Sequence, residues 1–350
     1  MTAPAPPRPW SAHPLAADLD LALAAVREAG GLCAEVSRSV DRGALAKPDR
    51  SPVTVADFGA QALVCRALAE AFPADPVLGE EDAAHLRQPE AAALLARVTG
   101  LVAARRPGVT AADVCAWIDH GRPGAGGDAA RTLPAPPRSW TLDPVDGTKG
   151  FLRGGQYAIA LALLVDGKLA AAVMGCPSLG PAAAGDAGPG TLFAALAGSG
   201  AWQLPLAVEG EARPLRCSDI DDPARLRFCG SVEAAHSSQG HAARVTARLG
   251  VTAAPVRLDS QAKYGIVARG EADAYLRMPV RPDYAENIWD HAAGALVVLE
   301  AGGAVTDIGG RPLDFSRGAK LARGRGVVAT NGVAHAAVIA AIAALGLADG

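Results

Sequence analysis

The chain has 350 residues, half of them hydrophobic and a fifth charged, and 33 Lys+Arg against 36 Asp+Glu leave a net charge of −3. That composition excludes a disordered tail, and the near balance of charge excludes a basic protein that coats nucleic acid or an anionic membrane. The length suits two domains or one large α/β unit, so any phosphate chemistry must come from a local site.

Six cysteines, at 33, 65, 115, 176, 217 and 229, show neither a CxxC pair nor zinc-site spacing, and free thiols are expected. The opening Met-Thr-Ala-Pro-Ala-Pro-Pro-Arg-Pro-Trp lacks an apolar run behind a basic start. The longest apolar stretches, 158–165 and 333–347, fall short of the ~18–20 residues that span a bilayer. A reduced, cytoplasmic protein without membrane contact is the expectation.

Prolines at 4, 6, 7 and 9 keep the first dozen residues extended or disordered. From 15 to about 40, Leu15, Leu19, Ala22, Leu23, Val26, Ala29, Cys33, Val36 and Val40 recur at helical spacing, with Gly30-Gly31 as a candidate break. Thr54 or Asp57 starts a second helix to Ala71, ended by Phe72-Pro73. A short strand at 76–79 and helices at 91–98 and 111–117 follow. Residues 121–138 form a Gly/Pro-rich loop, and the strand Trp140-Thr141-Leu142 runs into Asp143-Pro144-Val145-Asp146-Gly147-Thr148. Strands 157–165 and 169–174 flank Asp166-Gly167, a hairpin signal because Asp-Gly supplies two positive-φ residues. A second loop, 180–190, precedes strands at 191–195 and 201–204.

Further on, strands at 227–230, 256–258 and 274–277 alternate with helices at 240–249, 262–269 and 288–301. Strands at 303–307 and 326–330 and a helix at 334–344 close the chain. Helices with antiparallel hairpins give way to strand–helix alternation, an α+β part followed by an α/β part. The boundary falls near 218, dividing the chain into 1–217 and 218–350.

Carboxylates gather where strands end or helices start: Ala56-Asp57, Gly79-Glu80-Glu81-Asp82, Asp143-Pro144-Val145-Asp146-Gly147-Thr148 and Trp289-Asp290-His291-Ala292-Ala293-Gly294. Each has a structural reading. Glu80 and Asp82 suit a solvated helix start, Asp-Pro-x-Asp-Gly suits a surface turn, and Asp290 suits a helix cap. Together they suit Mg²⁺, a hard cation that takes carboxylate and carbonyl oxygens and shares a substrate phosphate. Pro144 tightens the turn between Asp143 and Asp146, and two ions about 3.5–4 Å apart would clamp both oxygens of a phosphoryl displacement.

The Glu-Glu, Asp-Pro-x-Asp-Gly-Thr and Trp-Asp-x-x-Ala-Gly motifs, in this order between 51 and 332, resemble the lithium-sensitive, Mg²⁺-dependent phosphatases of the inositol monophosphatase superfamily. The resemblance implies a layered αβαβα sandwich with an antiparallel sheet in its first part and a smaller mixed sheet in its second. It implies two Mg²⁺ ions, or three during turnover, held by Glu80, Asp143, the Val145 carbonyl, Asp146 and Asp290. It gives Asp57 and Thr148 the catalytic role of orienting a metal-activated water and taking up its proton.

Within the superfamily, the runs Lys149–Tyr157, Ser231–Ser238, Leu258-Asp259-Ser260-Gln261-Ala262-Lys263-Tyr264 and Tyr275-Leu276-Arg277-Met278-Pro279 resemble the 3′(2′),5′-bisphosphate nucleotidases. That family converts adenosine 3′,5′-bisphosphate to AMP and phosphate, and many members accept the sulfated form, 3′-phosphoadenylyl sulfate, which implies a place in sulfur assimilation. The resemblance marks Thr148, His236, Ser260, Lys263, Arg277 and Asp290 as substrate contacts, with Lys263 and Arg277 able to face the second phosphate. Taken alone, Lys263 would be a solvated helix face, His236 a loop histidine and Arg277 a strand end. Phe151 and Trp289 read as packing residues.

One alternative is a phosphatase of the same superfamily acting on inositol phosphates or fructose 1,6-bisphosphate, and the Lys263 run argues against it. A non-catalytic nucleotide or metal sensor is another, set against by complete ligands and the Asp57–Thr148 pair. Sparse aromatics and the absence of a basic face argue against nucleic acid. Members of this branch are often monomeric, which makes a monomer the expectation.

Overall fold

The computed structural model describes residues 8–39, 45–46, 52–121, 136–180, 188–232, 238–279, 281 and 284–348. Its first helix, α1 (Ala16–Ser37), runs through Gly30-Gly31 without a break. Gly30 serves packing instead: a Cβ there would lie 3.1 Å from Leu206 Cδ1, so its absence admits that side chain against the helix. Strands β1 (Leu45–Ala46) and β2 (Pro52–Val53) pair antiparallel, a ribbon absent from the sequence reading. Helix α2 (Val55–Ala71) starts at Thr54, with Asp57 completing a capping box.

Strand β3 (Val77–Gly79) is followed by α3 (Ala92–Ala103) and α4 (Ala111–His120), which pack with α2 over a shared apolar core. Then come β4 (Arg138–Asp146), the short helix α5 (Thr148–Arg153), β5 (Ala158–Val165), β6 (Lys168–Cys176), β7 (Thr191–Leu196), β8 (Gly200–Pro205) and β9 (Arg213–Pro214). The β5–β6 turn has φ of 50° at Asp166 and 72° at Gly167, as Asp-Gly predicts. The seven strands lie in chain order, β3 to β9. This sheet was expected to be antiparallel. Its β3–β4 edge is parallel instead, because a 3-10 turn (Pro89–Ala91) and helices α3 and α4 intervene between those strands and no hairpin can join them.

The second sheet has the order β11-β10-β12-β14-β13. Its strands are β10 (Phe228–Gly230), β11 (Val256–Arg257), β12 (Ala274–Arg277), β13 (Ala304–Thr306) and β14 (Val327–Thr330). The β10 pairings with β11 and β12 are parallel and those of β14 antiparallel, a mixed sheet as expected. Helices α6 (Gln239–Arg248), α7 (Ala262–Ala268), α8 (Ala292–Glu300) and α9 (His335–Ala344) complete the described elements.

Packing stacks these into five layers, αβαβα. Helices α1 and α2 bury Leu19, Val26, Phe58 and Leu63 against one face of the large sheet. Helices α7 and α8 fill the middle, where Ile266, Val267, Leu296 and Val297 meet Ala160, Met174 and Phe193 on one side and Tyr275 and Ala329 on the other. Helix α8 is apolar on nearly every side, which suits an element pressed between two sheets. Helices α6 and α9 cover the outer face of the small sheet through Val245, Val338 and Ile342. All six cysteines are free thiols, five of them buried.

Candidate active site

The geometry starts at a β-bulge. In the β4–β5 ladder Asp143 pairs with Ala160 and Asp146 with Ala158, so three steps on β4 face two on β5. In a regular strand residues three apart point to opposite faces. The extra residue cancels that alternation and turns Asp143 and Asp146 toward one cavity. Val145 N–H donates to Asp143 Oδ1 at 3.1 Å and fixes the turn. Gly147 then takes φ of 86°, where a side chain would be strained, and α5 begins at Thr148. The sequence reading assigned no element to the residues between Thr148 and the strand at 157. They form this helix, with Gly154 (φ 75°) as its left-handed C-cap.

The parallel β3–β4 pairing delivers Glu80 beside these carboxylates, with Glu80 N–H donating to Leu142 O at 3.2 Å. Asp290 arrives from the middle layer, just ahead of α8. The helix was expected to run from 288 and Asp290 had a possible capping role; it starts at Ala292 with His291 as N-cap, so Asp290 is free of that duty. Asn287 Nδ2 donates to Asp290 Oδ2 at 3.3 Å. Asp57 is buried behind the turn. Its Oδ2 accepts from Thr54 N–H (2.8 Å) and the Thr54 hydroxyl (2.6 Å), while Oδ1 lies 3.3 Å from Thr148 Oγ1. The Thr148 hydroxyl also lies 3.1 Å from Val145 O, so its single proton has two acceptors within reach. Asp57 thus completes a helix cap and also contacts Thr148.

A cavity of about 430 Å³ is lined by Glu80, Asp143, Val145, Asp146, Thr148, Ser260, Lys263, Arg277 and Asp290 together. Asp57 is not among the lining residues and contacts Thr148, which is. His236 lies outside the described residues. Lys263 is 3% exposed, and its ammonium donates to Ser260 O (2.6 Å) and Leu258 O (3.3 Å) beneath the Tyr275 ring. Arg277 pairs with Glu286 through Nε (3.2 Å) and Nη2 (3.1 Å).

The model of the inositol monophosphatase family matches residues 15–347. The chain belongs to that family. It is 43% identical over 344 residues to a 3′(2′),5′-bisphosphate nucleotidase of Emericella nidulans, covering 91% of this chain and 95% of that protein. A Schizosaccharomyces pombe protein of the same name is 41% identical over 351 residues, covering 94% and 96%. The solved structure of the extragenic suppressor protein SuhB from Bartonella henselae has a TM-score of 0.65 at 21% identity, covering 93% of this chain and 98% of that one, a likeness of fold.

The electrostatics of this inositol monophosphatase-family site call for a cation. Burial, then the charges of Glu80, Asp146, Asp290 and Asp57, push the Asp143 carboxyl well above the usual carboxylate range. Burial raises Asp146 to about 6 against the pull of Lys263, and raises Asp290 to about 7 against His291 and Arg277. Clustered carboxylates and a carbonyl, with no thiolate among them, are a donor set for Mg²⁺ and fit it chemically. One ligand atom each from Glu286, Asp290 and His291 also falls within 4.8 Å of the others. Glu286 has another task. Burial alone would raise its carboxyl, but Arg277 and His291 outweigh burial and hold it at about 2. It anchors Arg277.

Without divalent ions, the raised carboxyls bind protons more tightly in the folded than in the unfolded chain. Their contribution to stability is present below about pH 4 and is lost as pH rises through about 6–7. The melting temperature in chelator is therefore expected to fall between pH 5.5 and 8, and the rise on adding Mg²⁺ to be larger at pH 8. Equal Mg²⁺ shifts at both pH values by differential scanning fluorimetry would contradict this.

Several supporting residues escaped the sequence reading. Gln61, fully buried in α2, accepts from Glu81 N–H (3.0 Å) and donates to Glu81 O (2.6 Å) and Ile118 O (2.9 Å), pinning the Glu80 turn. A lone amide within Ala60-Gln61-Ala62-Leu63-Val64-Cys65 was the available signal. Asp259, paired with Arg153 at 2.5 Å, docks the Ser260 turn on α5. Phe151 packs edge-on to Tyr157 at 4.9 Å, the packing role expected of it.

Proposed function

We propose that this chain is a Mg²⁺-dependent 3′(2′),5′-bisphosphate nucleotidase that hydrolyses the 3′-phosphate of adenosine 3′,5′-bisphosphate to AMP and phosphate, with 3′-phosphoadenylyl sulfate as a second substrate. The observation that carries this reading is one cavity lined by both a cluster of oxygen donors and cationic side chains, Lys149, Lys263 and Arg277. Relatives more than 40% identical over most of the chain bear that enzyme's name.

Glu80, Asp143, Asp146, Asp290 and the Val145 carbonyl would hold two Mg²⁺ ions. When bound, these supply Lewis acidity at phosphoryl oxygens and activate water. The chain's own part is proton handling and placement. The capping box immobilises Asp57 Oδ2 and leaves Oδ1 facing Thr148, so the hydroxyl can orient the attacking water and pass its proton to Asp57. Arg277 and Lys263 take the second phosphate, and Ser260 and His236 the ribose or base. Residues 1–217 then carry most metal ligands and 218–350 most nucleotide contacts. We assign the enzyme a cytoplasmic, monomeric and Li⁺-inhibited existence. No helix of the described residues is long and apolar enough to cross a membrane.

The test is phosphate release from adenosine 3′,5′-bisphosphate, its sulfated form, inositol phosphates and fructose 1,6-bisphosphate, with Mg²⁺ and with or without Li⁺. Charged hydrogen bonds to a second phosphate, at ~1.5–3 kcal/mol each, predict that the adenosine bisphosphate leads by roughly tenfold or more in kcat/KM. Faster turnover of an inositol phosphate would overturn the assignment.

A further inference from the structure

We infer that Gln261 is a positioning residue that sets the separation of Asp146 and Asp290; this rests on the reading of those carboxylates as Mg²⁺ ligands. The two arrive from different layers, Asp146 from the bulged end of β4 and Asp290 from the lead-in to α8. Gln261 bonds to both segments. Its backbone N–H donates to Asp146 Oδ2. Its side-chain Nε2 donates to the carbonyl of Trp289, the residue before Asp290, at 2.8 Å. Its Oε1 accepts from Gly294 N–H at 3.0 Å.

The last bond has a particular place. Helix α8 has no side-chain cap of its own, and Gly294 N–H belongs to its unsatisfied first turn. Gln261 supplies that cap from a neighbouring segment, so the start of α8, and Asp290 with it, is registered against Asp146. The side chain is 2% exposed, and donor and acceptor each face a complementary backbone group, which fixes the amide in one orientation.

Gln261 is itself held. Ser260, just before it, has φ of 69°, a left-handed conformation that serine rarely adopts. The buried Lys263 ammonium grips the carbonyls on either side of that kink, Leu258 and Ser260, and Arg153 holds Asp259. The kink aims the Gln261 N–H at Asp146. Lys263 therefore shapes the metal side of the cavity besides presenting a cation to it.

The experiment is calorimetric titration of the full chain with Mg²⁺ alone, paired with melting temperatures in chelator. Gln261→Met keeps length and loses both polar contacts. It is expected to raise the Mg²⁺ dissociation constant roughly 10–100-fold, the range for residues that orient metal ligands. Gln261→Glu keeps the acceptor and loses the donor to Trp289 O, and serves if the methionine variant does not fold. Its added charge alone would tighten a cation, so weaker Mg²⁺ binding than wild type reports the lost donor. Lower stability in chelator with unchanged Mg²⁺ affinity would make Gln261 a structural filler and overturn the inference. A wild-type chain that binds no Mg²⁺ would sink the metal reading itself.

Discussion

Replacing Asp146 by Asn is expected to lower Mg²⁺-dependent phosphate release by roughly a thousandfold. The amide matches the carboxylate in shape, and its oxygen can still accept the Gln261 N–H, so the turn after β4 keeps its geometry. What disappears is an anionic donor. Loss of several kcal/mol of charge stabilisation, at ~1.4 kcal/mol per tenfold, gives that size of effect. The fold should not suffer. Burial already raises Asp146 to about 6, so at pH 7.5 the carboxylate costs the metal-free protein stability, and Asn removes that cost. The melting temperature in chelator should equal or exceed that of the wild type. Wild-type turnover in this variant would contradict the assigned role.

Arg277→Met is expected to do two things at once. It removes a cation from the cavity, and kcat/KM for the bisphosphate should fall about 10–100-fold, with much less change for a simple phosphate monoester. It also leaves Glu286, 4% exposed, with His291 and no guanidinium partner. Breaking a buried pair from one side costs about 3–5 kcal/mol, a fall of roughly 4–7 °C in melting temperature for a chain of this size. The double variant Arg277→Met/Glu286→Gln separates the two effects. Stability should return while the preference for the bisphosphate stays lost. Equal losses on both substrates would refute the specificity role.

Much of this site was legible because its chemistry is written in short runs. Asp143 and Asp146 straddle a proline, Glu80 follows a short strand, and Asp290 lies just ahead of an apolar helix, so each could be placed near the end of an element. The Asp166-Gly167 hairpin and the start of α2 were likewise readable, since positive-φ turns and capping residues are local demands. The bulge that aligns Asp143 with Asp146 was not, because it depends on how β5 pairs, which no run of β4 records. Helix α5 has six residues, too few for a period to show. The parallel β3–β4 edge and the order of the second sheet depend on tertiary packing. Gln61, Gln261 and Glu286 were overlooked because such residues on or beside helices ordinarily face water. Here each is buried and bonds to the chain that carries a site carboxylate or to Arg277.

Mn²⁺ offers the most direct measurement of whether these carboxylates hold metal together. In crystals grown with Mn²⁺, anomalous scattering should place ions within bonding distance of Glu80, Asp143, Val145 O, Asp146 and Asp290. Ions absent from that cavity, or bound only at other surfaces of the protein, would contradict the account.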